Sequence, residues 1–439
     1  MSTRKLAIAS FANLLIPISG LLVSPFLSRE LGPENRGLYA ALTLPIVVYG
    51  WLGTFGLQDA LSFHVRNGSL GRRAAAKVSL IASVPLGVLS IVLLGALGMF
   101  VFADDADHYR LFLILVVLAP LHVVSNLFIG GLTGASDIHG VNLVKVLPAL
   151  ARTGIVIFAC LAFDLDAFWA ALLFVITAVV GVVAGLQRLR TVPDEDGPPP
   201  AAIPSRSLFT YAMACLPGSL AAVSSARLDQ IVGLPVIGAK ELGYYAVAVS
   251  VAEIPMVIAT AARTVLLGKP DTTEPRSATQ VARLAVATSV FACGFLALVA
   301  PFAVPFVFGG AFAPAVTPTV ILCLATILYT NMTLFTAVLL GNGKAGWSSI
   351  ALVVGSACGV VLLFALASLG AVGAALASLG GYGVSVVIAA AALRRSGSAH
   401  TVRMLTMLYR DDVVRIQDQL ISRISTVIAP KRRAGRHAR

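Results

Sequence analysis

A nine-residue pattern that occurs twice constrains this chain most. The first copy begins at Gly32 and reads GPENRGLYA, and the second begins at Gly238 and reads GAKELGYYA. The two glycines, the tyrosine and the final alanine keep their spacing, and the copies lie 206 residues apart in a chain of 439. Self-similarity at a fixed offset indicates a duplicated architecture. The sequence therefore predicts two copies of one structural unit.

The composition indicates that this unit lies in a membrane. Hydrophobic residues make up 58% of the chain and charged residues only 12%, about half the charge of a typical soluble domain. Twelve apolar stretches between Leu6 and Leu393 are each long enough to cross a hydrocarbon core as a helix. We expect an all-α polytopic membrane protein with twelve transmembrane helices in two repeats. Duplicated helix bundles of this kind usually form transporters.

One polar segment divides the twelve stretches into two groups of six. It runs from Thr191 to Ser207 and contains consecutive acidic residues followed by three prolines. Six helices return the chain to the side on which it started, so the second half enters the membrane in the same sense as the first. The repeats are therefore predicted to be parallel. We divide the chain into a six-helix bundle at 1–190, a cytoplasmic linker at 191–207, a second bundle at 208–395 and a tail at 396–439.

Lys and Arg side chains are concentrated at the even-numbered connections between the predicted helices. Translocation disfavours these residues in short loops beside spanning helices, so such loops remain cytoplasmic. The basic residues include Arg66, Arg72, Arg73 and Lys77 after the second helix, Arg188, Arg190 and Arg206 around the linker, and Arg394 and Arg395 after the twelfth. Both termini are therefore predicted to be cytoplasmic, in a multi-pass protein of a bacterial cytoplasmic membrane.

The tail after Arg395 has a different character. Its apolar residues have helical spacing with charged residues between them, which predicts an amphipathic helix on the cytoplasmic surface. A basic end with Lys431, Arg432 and Arg433 follows. We expect this tail to bind anionic lipids, or alternatively a cytoplasmic biosynthetic enzyme, and not nucleic acid. The scattered cysteines and histidines of the chain match no metal-binding motif, and no cofactor is predicted.

Segments around both copies of the repeated pattern resemble polysaccharide flippases. Residues 27–39, LSRELGPENRGLY, are similar to the end of the first helix and the start of the second in that family. Residues 227–233, RLDQIVG, and 242–246, LGYYA, are similar to its seventh-helix region, and FGGAFAP at 308–314 to its ninth-to-tenth turn. The family belongs to the superfamily of multidrug, oligosaccharidyl-lipid and polysaccharide exporters.

The resemblance implies a V-shaped pair of bundles around a central cavity that opens alternately to the two leaflets. The substrate typical of the family is a polyprenyl-diphosphate-linked oligosaccharide. Its polyprenyl tail can stay in lipid, whereas its diphosphate and sugars must cross the hydrocarbon core. The protein then has to supply polar surface for the head group alone.

Two ionisable residues lie near the middle of predicted helices, where each costs about 2.5 to 3.5 kcal/mol on insertion. Arg152, in the fifth, is a candidate contact for the diphosphate or an acidic sugar, because a guanidinium binds phosphate oxygens in a bidentate manner. The alternative is an internal ion pair. Glu253, in the eighth, is a candidate for ion coupling or for pairing with an arginine across the bundle interface.

Other candidates lie near helix ends. Arg227 and Asp229 are two residues apart on the seventh helix and therefore face different ways; both are assigned to the substrate path, as is Arg29. For Asp229 the alternative is a helix-end charge among lipid headgroups. Asp59 is a second candidate for ion coupling, and we expect it not to pair with His64, which lies about 140° around the helix. His64 is predicted to lie among the headgroups.

The repeated pattern has a structural explanation that needs no substrate. Gly32 and Gly238 can end a helix in a left-handed conformation, and Tyr39 and Tyr245 can anchor the next helix at headgroup depth. Bends within helices would serve alternating access, with static kinks as the alternative. The hinge candidates are Pro17, Pro25 and Pro255.

The function predicted from these features is a flippase for a lipid-linked oligosaccharide in cell-surface polysaccharide export, working by alternating access. A drug or cation antiporter of the same superfamily is one alternative, but the deepest basic charge, Arg152, favours an anionic substrate. A membrane glycosyltransferase or polymerase would normally need a sizeable loop with paired carboxylates or a metal motif, and the loops here are short.

Overall fold

The computed structural model describes residues 3–191, 205–267 and 275–395, which form helices and no strands. The helices before the linker are α1 (Thr3–Leu52), α2 (Leu57–Arg66), α3 (Arg72–Val101), α4 (Ala106–Val116), α5 (Ala119–Gly134), α6 (Ile138–Ala162), α7 (Ala167–Ile176) and α8 (Ala178–Thr191). Those after it are α9 (Ser205–Ile231), α10 (Gly233–Ile237), α11 (Ala239–Ala252), α12 (Met256–Leu267), α13 (Pro275–Phe308), α14 (Val316–Gly341), α15 (Ala345–Ala365) and α16 (Gly370–Arg395). Short 3-10 turns occupy Gly310–Ala315 and Ala367–Leu369.

The chain is a multi-pass membrane protein, as its composition predicts. Within the described ranges, nine helical segments are long and apolar enough to cross a membrane, and α11 with α12 brings the number to ten. The predicted number of twelve is not confirmed by this count. One of the nine segments, Leu15–Arg66, contains two of the predicted helices, because α1 runs on through a non-helical residue at Gly32.

The break in α1 recurs in the second half of the chain. Gly32 has φ 66° and ψ 176°, and Gly238, between α10 and α11, has φ 80° and ψ 164°. This combination of dihedral angles is open essentially to glycine alone. Both glycines have the positive φ of the predicted left-handed conformation, but their ψ is extended, so neither adopts the left-handed helical conformation. The duplicated glycines therefore mark equivalent helix junctions.

The predicted hinge prolines have different environments. Pro17 and Pro25 lie inside α1, whose non-helical residue is Gly32 instead. Pro255 lies between α11 and α12, where the two helix axes are bent by 50°. Proline removes a backbone donor and clashes with the preceding turn, which accounts for a bend at that position. A moving hinge at any of the three stays a prediction.

Two predicted segments fall largely outside the described residues. They are the linker, of which 192–204 are not described, and the tail at 396–439. The predicted domain boundaries and the lipid or enzyme partners of the tail therefore remain expectations.

Candidate functional site

The two copies of the repeated pattern pack against each other. A Cβ added at Gly37 would lie 1.8 Å from the carbonyl oxygen of Ala239, and one added at Gly243 would lie 1.8 Å from that of Pro33. The two contacts are equivalent under the offset of 206 residues, so a local twofold relates them. We call Gly37 and Gly243, with the helix starts that they touch, the glycine seam. It joins α1 to α11 at backbone distance.

The tyrosines of the two copies are buried in the protein, where they contact other helices. Tyr39 is 6% exposed and Tyr245 is 1% exposed. Tyr245 donates its hydroxyl hydrogen to Asp229 Oδ2, and its oxygen lies 2.8 Å from Ser378 Oγ. The Ser378 hydroxyl also lies 2.9 Å from Asp229 Oδ2. A buried phenol needs a hydrogen-bond partner, and the carboxylate of α9 supplies it.

An ion pair lies beside this hydrogen-bonded group. Arg227 Nη1 is 2.6 Å from Glu253 Oε1, and the two side chains are 28% and 32% exposed. The pair joins the last turns of α9 to the bend between α11 and α12. Arg227 and Asp229 thus have separate partners, as their spacing on the helix predicts.

Arg152 has aromatic and not acidic neighbours. Its guanidinium carbon lies 4.6 Å from the ring centre of Phe174 on α7. Phe174 in turn meets the ring of Tyr39 edge-on, with centroids 6.1 Å apart. Among the described residues no carboxylate pairs with Arg152, so the structure does not support the internal ion pair considered as the alternative.

A second arginine, which is not among the predicted site residues, joins this group. The guanidinium carbon of Arg36 lies 5.2 Å from the ring centre of Tyr39, and the residue is only 7% exposed. Its Nη2 lies 3.4 Å from Ser24 Oγ, while its Nε is buried without a hydrogen-bond partner. We call Arg36, Tyr39, Arg152 and Phe174 the arginine–aromatic cluster.

A signal in the sequence could have identified Arg36. In the second copy of the repeated pattern its position is occupied by Leu242, which is fully buried. A charge that replaces a core leucine in one of two otherwise similar units is costly to bury. The difference between the copies therefore marks Arg36 as a functional candidate.

Arg29 donates hydrogen bonds to the C-terminal end of a helix. Its Nε donates to the carbonyl oxygen of Val307 at 3.0 Å, and its Nη2 donates to that of Phe306. These carbonyls belong to the last turn of α13, where they lack partners within the helix. Its role in a substrate path stays a prediction.

The remaining candidates lie on α2. Asp59 is exposed, and none of the ion pairs found among the described residues includes it. His64 is 7% exposed and packs against Phe63 and Tyr211, and its location among the headgroups stays a prediction. Its Nδ1 lies 3.1 Å from Ser69 Oγ.

Comparison with known proteins gives the family of the chain. The profile of a family described as polysaccharide biosynthesis protein matches residues 2–267, which is more than half of the sequence. No protein of curated function matches the chain.

Solved structures with the same fold are transporters. One is an inward-facing multidrug resistance MATE family transporter of the MOP superfamily, with a TM-score of 0.68, 18% identity, and coverage of 89% of this chain and 100% of the other. Another is the lipid II flippase MurJ in an inward closed conformation, with a TM-score of 0.68, 11% identity, and coverage of 98% and 94%. A MOP superfamily transporter from Pyrococcus furiosus gives a TM-score of 0.61, 19% identity, and coverage of 89% and 94%. At these identities the likeness establishes the membrane-transporter fold.

Proposed function

The chain belongs to the polysaccharide biosynthesis protein family, and we propose that it is a flippase for a polyprenyl-diphosphate-linked oligosaccharide. The observation that carries this proposal is the arginine–aromatic cluster, in which Arg36 and Arg152 have aromatic neighbours and no paired carboxylate among the described residues. Arginines retained within membrane helices generally face a cavity or a substrate. An anionic substrate would supply the missing counter-charge.

A diphosphate suits this cluster chemically. Guanidinium groups bind phosphate oxygens through paired N–H donors, and they stay charged in apolar surroundings. The Phe174 ring holds the Arg152 guanidinium by a cation–π contact that leaves N–H donors at the edge of its plane available. The buried, unpartnered Nε of Arg36 would gain a partner in a bound phosphate oxygen. The sugars and the polyprenyl tail need no such charge.

Alternating access is the proposed mechanism, and the glycine seam supports it. On the predicted orientation the seam lies toward the outer face, where it brings α1 and α11 to backbone distance. Opening the seam and closing the opposite end would expose the cluster to the other leaflet. The bend at Pro255 and the break at Gly32 are the places at which the helices can turn.

Energy coupling is assigned to an ion or to the membrane potential, with Glu253 and Asp59 as the candidate ion-binding carboxylates. Glu253 forms an ion pair with Arg227, so protonation of this carboxylate would release the arginine. The release would loosen the joint between α9 and the bend at Pro255. A proton could in this way favour one conformation over another.

A strain that lacks the gene tests the proposal. We expect polyprenyl-diphosphate sugars to accumulate on the cytoplasmic leaflet, as measured by mass spectrometry of lipid extracts with a leaflet-specific label. The wild-type gene and an Arg190→Ala variant, which changes an exposed arginine on α8, should relieve the accumulation. Arg152→Ala should not. An unchanged lipid pool in the deletion strain would refute the flippase.

A drug or cation antiporter is the second candidate, since the MATE transporter and MurJ have the same TM-score of 0.68. It predicts that the deletion strain gains sensitivity to cationic drugs while its lipid pool stays unchanged. A glycosyltransferase or polymerase predicts instead that the lipid-linked sugars are shortened on both leaflets.

A further inference from the structure

A second cation lies on the face of α6 that carries Arg152. Lys145 precedes Arg152 by seven residues in one continuous helix, so at about 100° per residue the two lie within about 20° of each other around its axis. The helical rise separates their Cα atoms by about 10.5 Å. The helix begins at Ile138, which on the predicted orientation is the cytoplasmic end. Lys145 is therefore the nearer of the two to the cytoplasm.

Lys145 lies on the side of α6 that faces the protein, and it is nevertheless exposed. The opposite side of the helix is a stripe of large apolar side chains, each at least 40% exposed, as expected of a surface in lipid: Leu143, Leu147, Leu150, Phe158 and Leu161. Lys145 lies about 180° from the middle of this stripe, on the same side as the buried Ala149 and Val156. An exposed cation on the inner side of a membrane helix indicates an internal opening.

The helices around Lys145 supply no carboxylate at its depth. The helix α6 packs against α1, α5, α7 and α8. Within these five helices the sequence has only two acidic residues, Glu30 and Glu34, and both lie at the predicted outer end of α1. Asp137, which precedes α6, is paired with Arg188 at 2.8 Å. A cation within a membrane helix is costly without a partner, so the counter-charge of Lys145 has to come from a ligand.

The two cations are too far apart to hold one phosphate together. The Arg152 guanidinium lies over the ring of Phe174. Phe174 is seven residues, about 10.5 Å, from the outer end of α7, whereas Arg152 is ten residues, about 15 Å, from the outer end of α6. The guanidinium therefore extends toward the outer face and away from Lys145. A phosphate that enters from the cytoplasm would meet the lysine first and the arginine second.

We propose that Lys145 is a loading residue, whose ammonium binds a phosphate of the substrate head group before the head group moves to the arginine–aromatic cluster. This inference rests on the proposed function and adds to it the order in which the cations are met. An ammonium is a compact, hydrated charge without a fixed fork, which suits a brief first contact. The guanidinium of Arg152 can then bind the phosphate oxygens in a bidentate manner at greater depth.

A cysteine at position 145 tests the charge directly. Lys145→Cys removes an exposed charge that has no carboxylate beside it, so the protein should fold normally. In proteoliposomes, the membrane density of undecaprenyl-diphosphate oligosaccharide that gives half-maximal flipping should rise about tenfold, while the maximal rate changes little. Modification with 2-aminoethyl methanethiosulfonate, which adds an ammonium, should restore the wild-type value. The sulfonatoethyl reagent, which adds an anion, should not.

A matched variant on the same helix controls for the reagents. Leu147 lies two residues further along α6, in the stripe that faces lipid, and is 41% exposed. Leu147→Cys should flip normally before and after either treatment. The wild type has five free cysteines of its own, so treating it in parallel gives the background of both reagents. A purely structural role of Lys145 would not distinguish an added ammonium from an added anion.

Protection by the substrate gives a second readout. The undecaprenyl-diphosphate oligosaccharide should slow modification of Lys145→Cys, and phosphatidylglycerol at the same density should not. Equal protection by both lipids would show a site for any membrane phosphate and would overturn the loading role. Equal rescue by the two reagents, or an unchanged half-maximal density in Lys145→Cys, would also overturn it and leave the flippase intact. If the wild type does not flip, the proposed function fails, and protection alone decides whether Lys145 binds the head group.

Discussion

Arg227 Nη1 lies 2.6 Å from Glu253 Oε1, and this pair connects α9 to the bend at Pro255. The two side chains are about one-third exposed, so water screens their attraction in part. The pair is nevertheless well placed to control the bend, because both of its partners adjoin helix ends.

The strength of this pair can be measured by a double-mutant cycle. We expect Arg227→Gln and Glu253→Gln to lower the free energy of unfolding, and the double variant to lose less than the sum. The interaction energy should be about 1 kcal/mol in favour of the pair. Denaturation of the four proteins in one detergent gives the value, and strictly additive losses would show that the pair does not stabilise the bend.

Arg36 should lower stability while supporting transport. Arg36→Met replaces a buried charge that has no carboxylate partner with an apolar side chain of similar length. The free energy of unfolding should stay equal or rise, since the desolvation cost disappears. Flipping should fall about tenfold through the loss of one charge-assisted contact. Thermal unfolding and a leaflet assay on the same preparation measure both quantities, and a destabilised variant with normal flipping would contradict the assignment.

The glycine seam should tolerate no side chain. Gly243→Ala would place a methyl group 1.8 Å from the carbonyl oxygen of Pro33, which forces the helices apart. We expect a loss of about 2 kcal/mol in the free energy of unfolding and a population shifted away from the closed seam. Gly294→Ala is the control, because a Cβ at that position of α13 meets nothing within 4 Å. Similar unfolding temperatures for the two variants would exclude a tight seam.

Acid should weaken the junction between α6 and α8. Burial acts to raise the pKa of Asp137, but hydrogen bonds from Arg188 at 2.8 Å and from the Gly140 N–H outweigh it, and the pKa is lowered from 3.8. A carboxyl group with a depressed pKa stabilises the folded protein above its unfolded value and loses this contribution as the pH falls through the folded value. Asp137→Asn should therefore be less stable than the wild type at pH about 7, and the difference should shrink below pH about 4. Thermal unfolding from neutral to acid pH measures it, and a gap that stays constant would rule out the paired carboxylate.

The membrane fold could be predicted because apolar length and repetition are local properties of the sequence. The same holds for the positive φ of Gly32 and Gly238, which follows from the residue type and its place between apolar runs. The partners of Tyr39 and Tyr245 could not be predicted, because they come from distant helices: Phe174 for the first, and Asp229 with Ser378 for the second.

The candidate site could be predicted only in part, because its contacts also involve residues from distant helices. Arg152 and Glu253 can be identified as candidates because both lie deep within apolar runs. The burial of Arg36 could not be predicted, because its position near a helix start suggests an exposed charge, whereas the packing of α1 against α11 buries it. The partner of Glu253 depends on the bend at Pro255, which local sequence does not specify.

Flipping by the purified protein tests the central claim most directly. Proteoliposomes would carry an undecaprenyl-diphosphate oligosaccharide labelled on its sugar, with a membrane potential imposed and a membrane-impermeant reagent outside to report outer-leaflet label. We expect the wild-type protein to bring the inner label to the reagent, Arg190→Ala to do the same, and Arg152→Ala to be at least about tenfold slower. Exposure no faster than in protein-free liposomes, with uptake of a cationic dye in the same vesicles, would contradict the flippase and favour the antiporter.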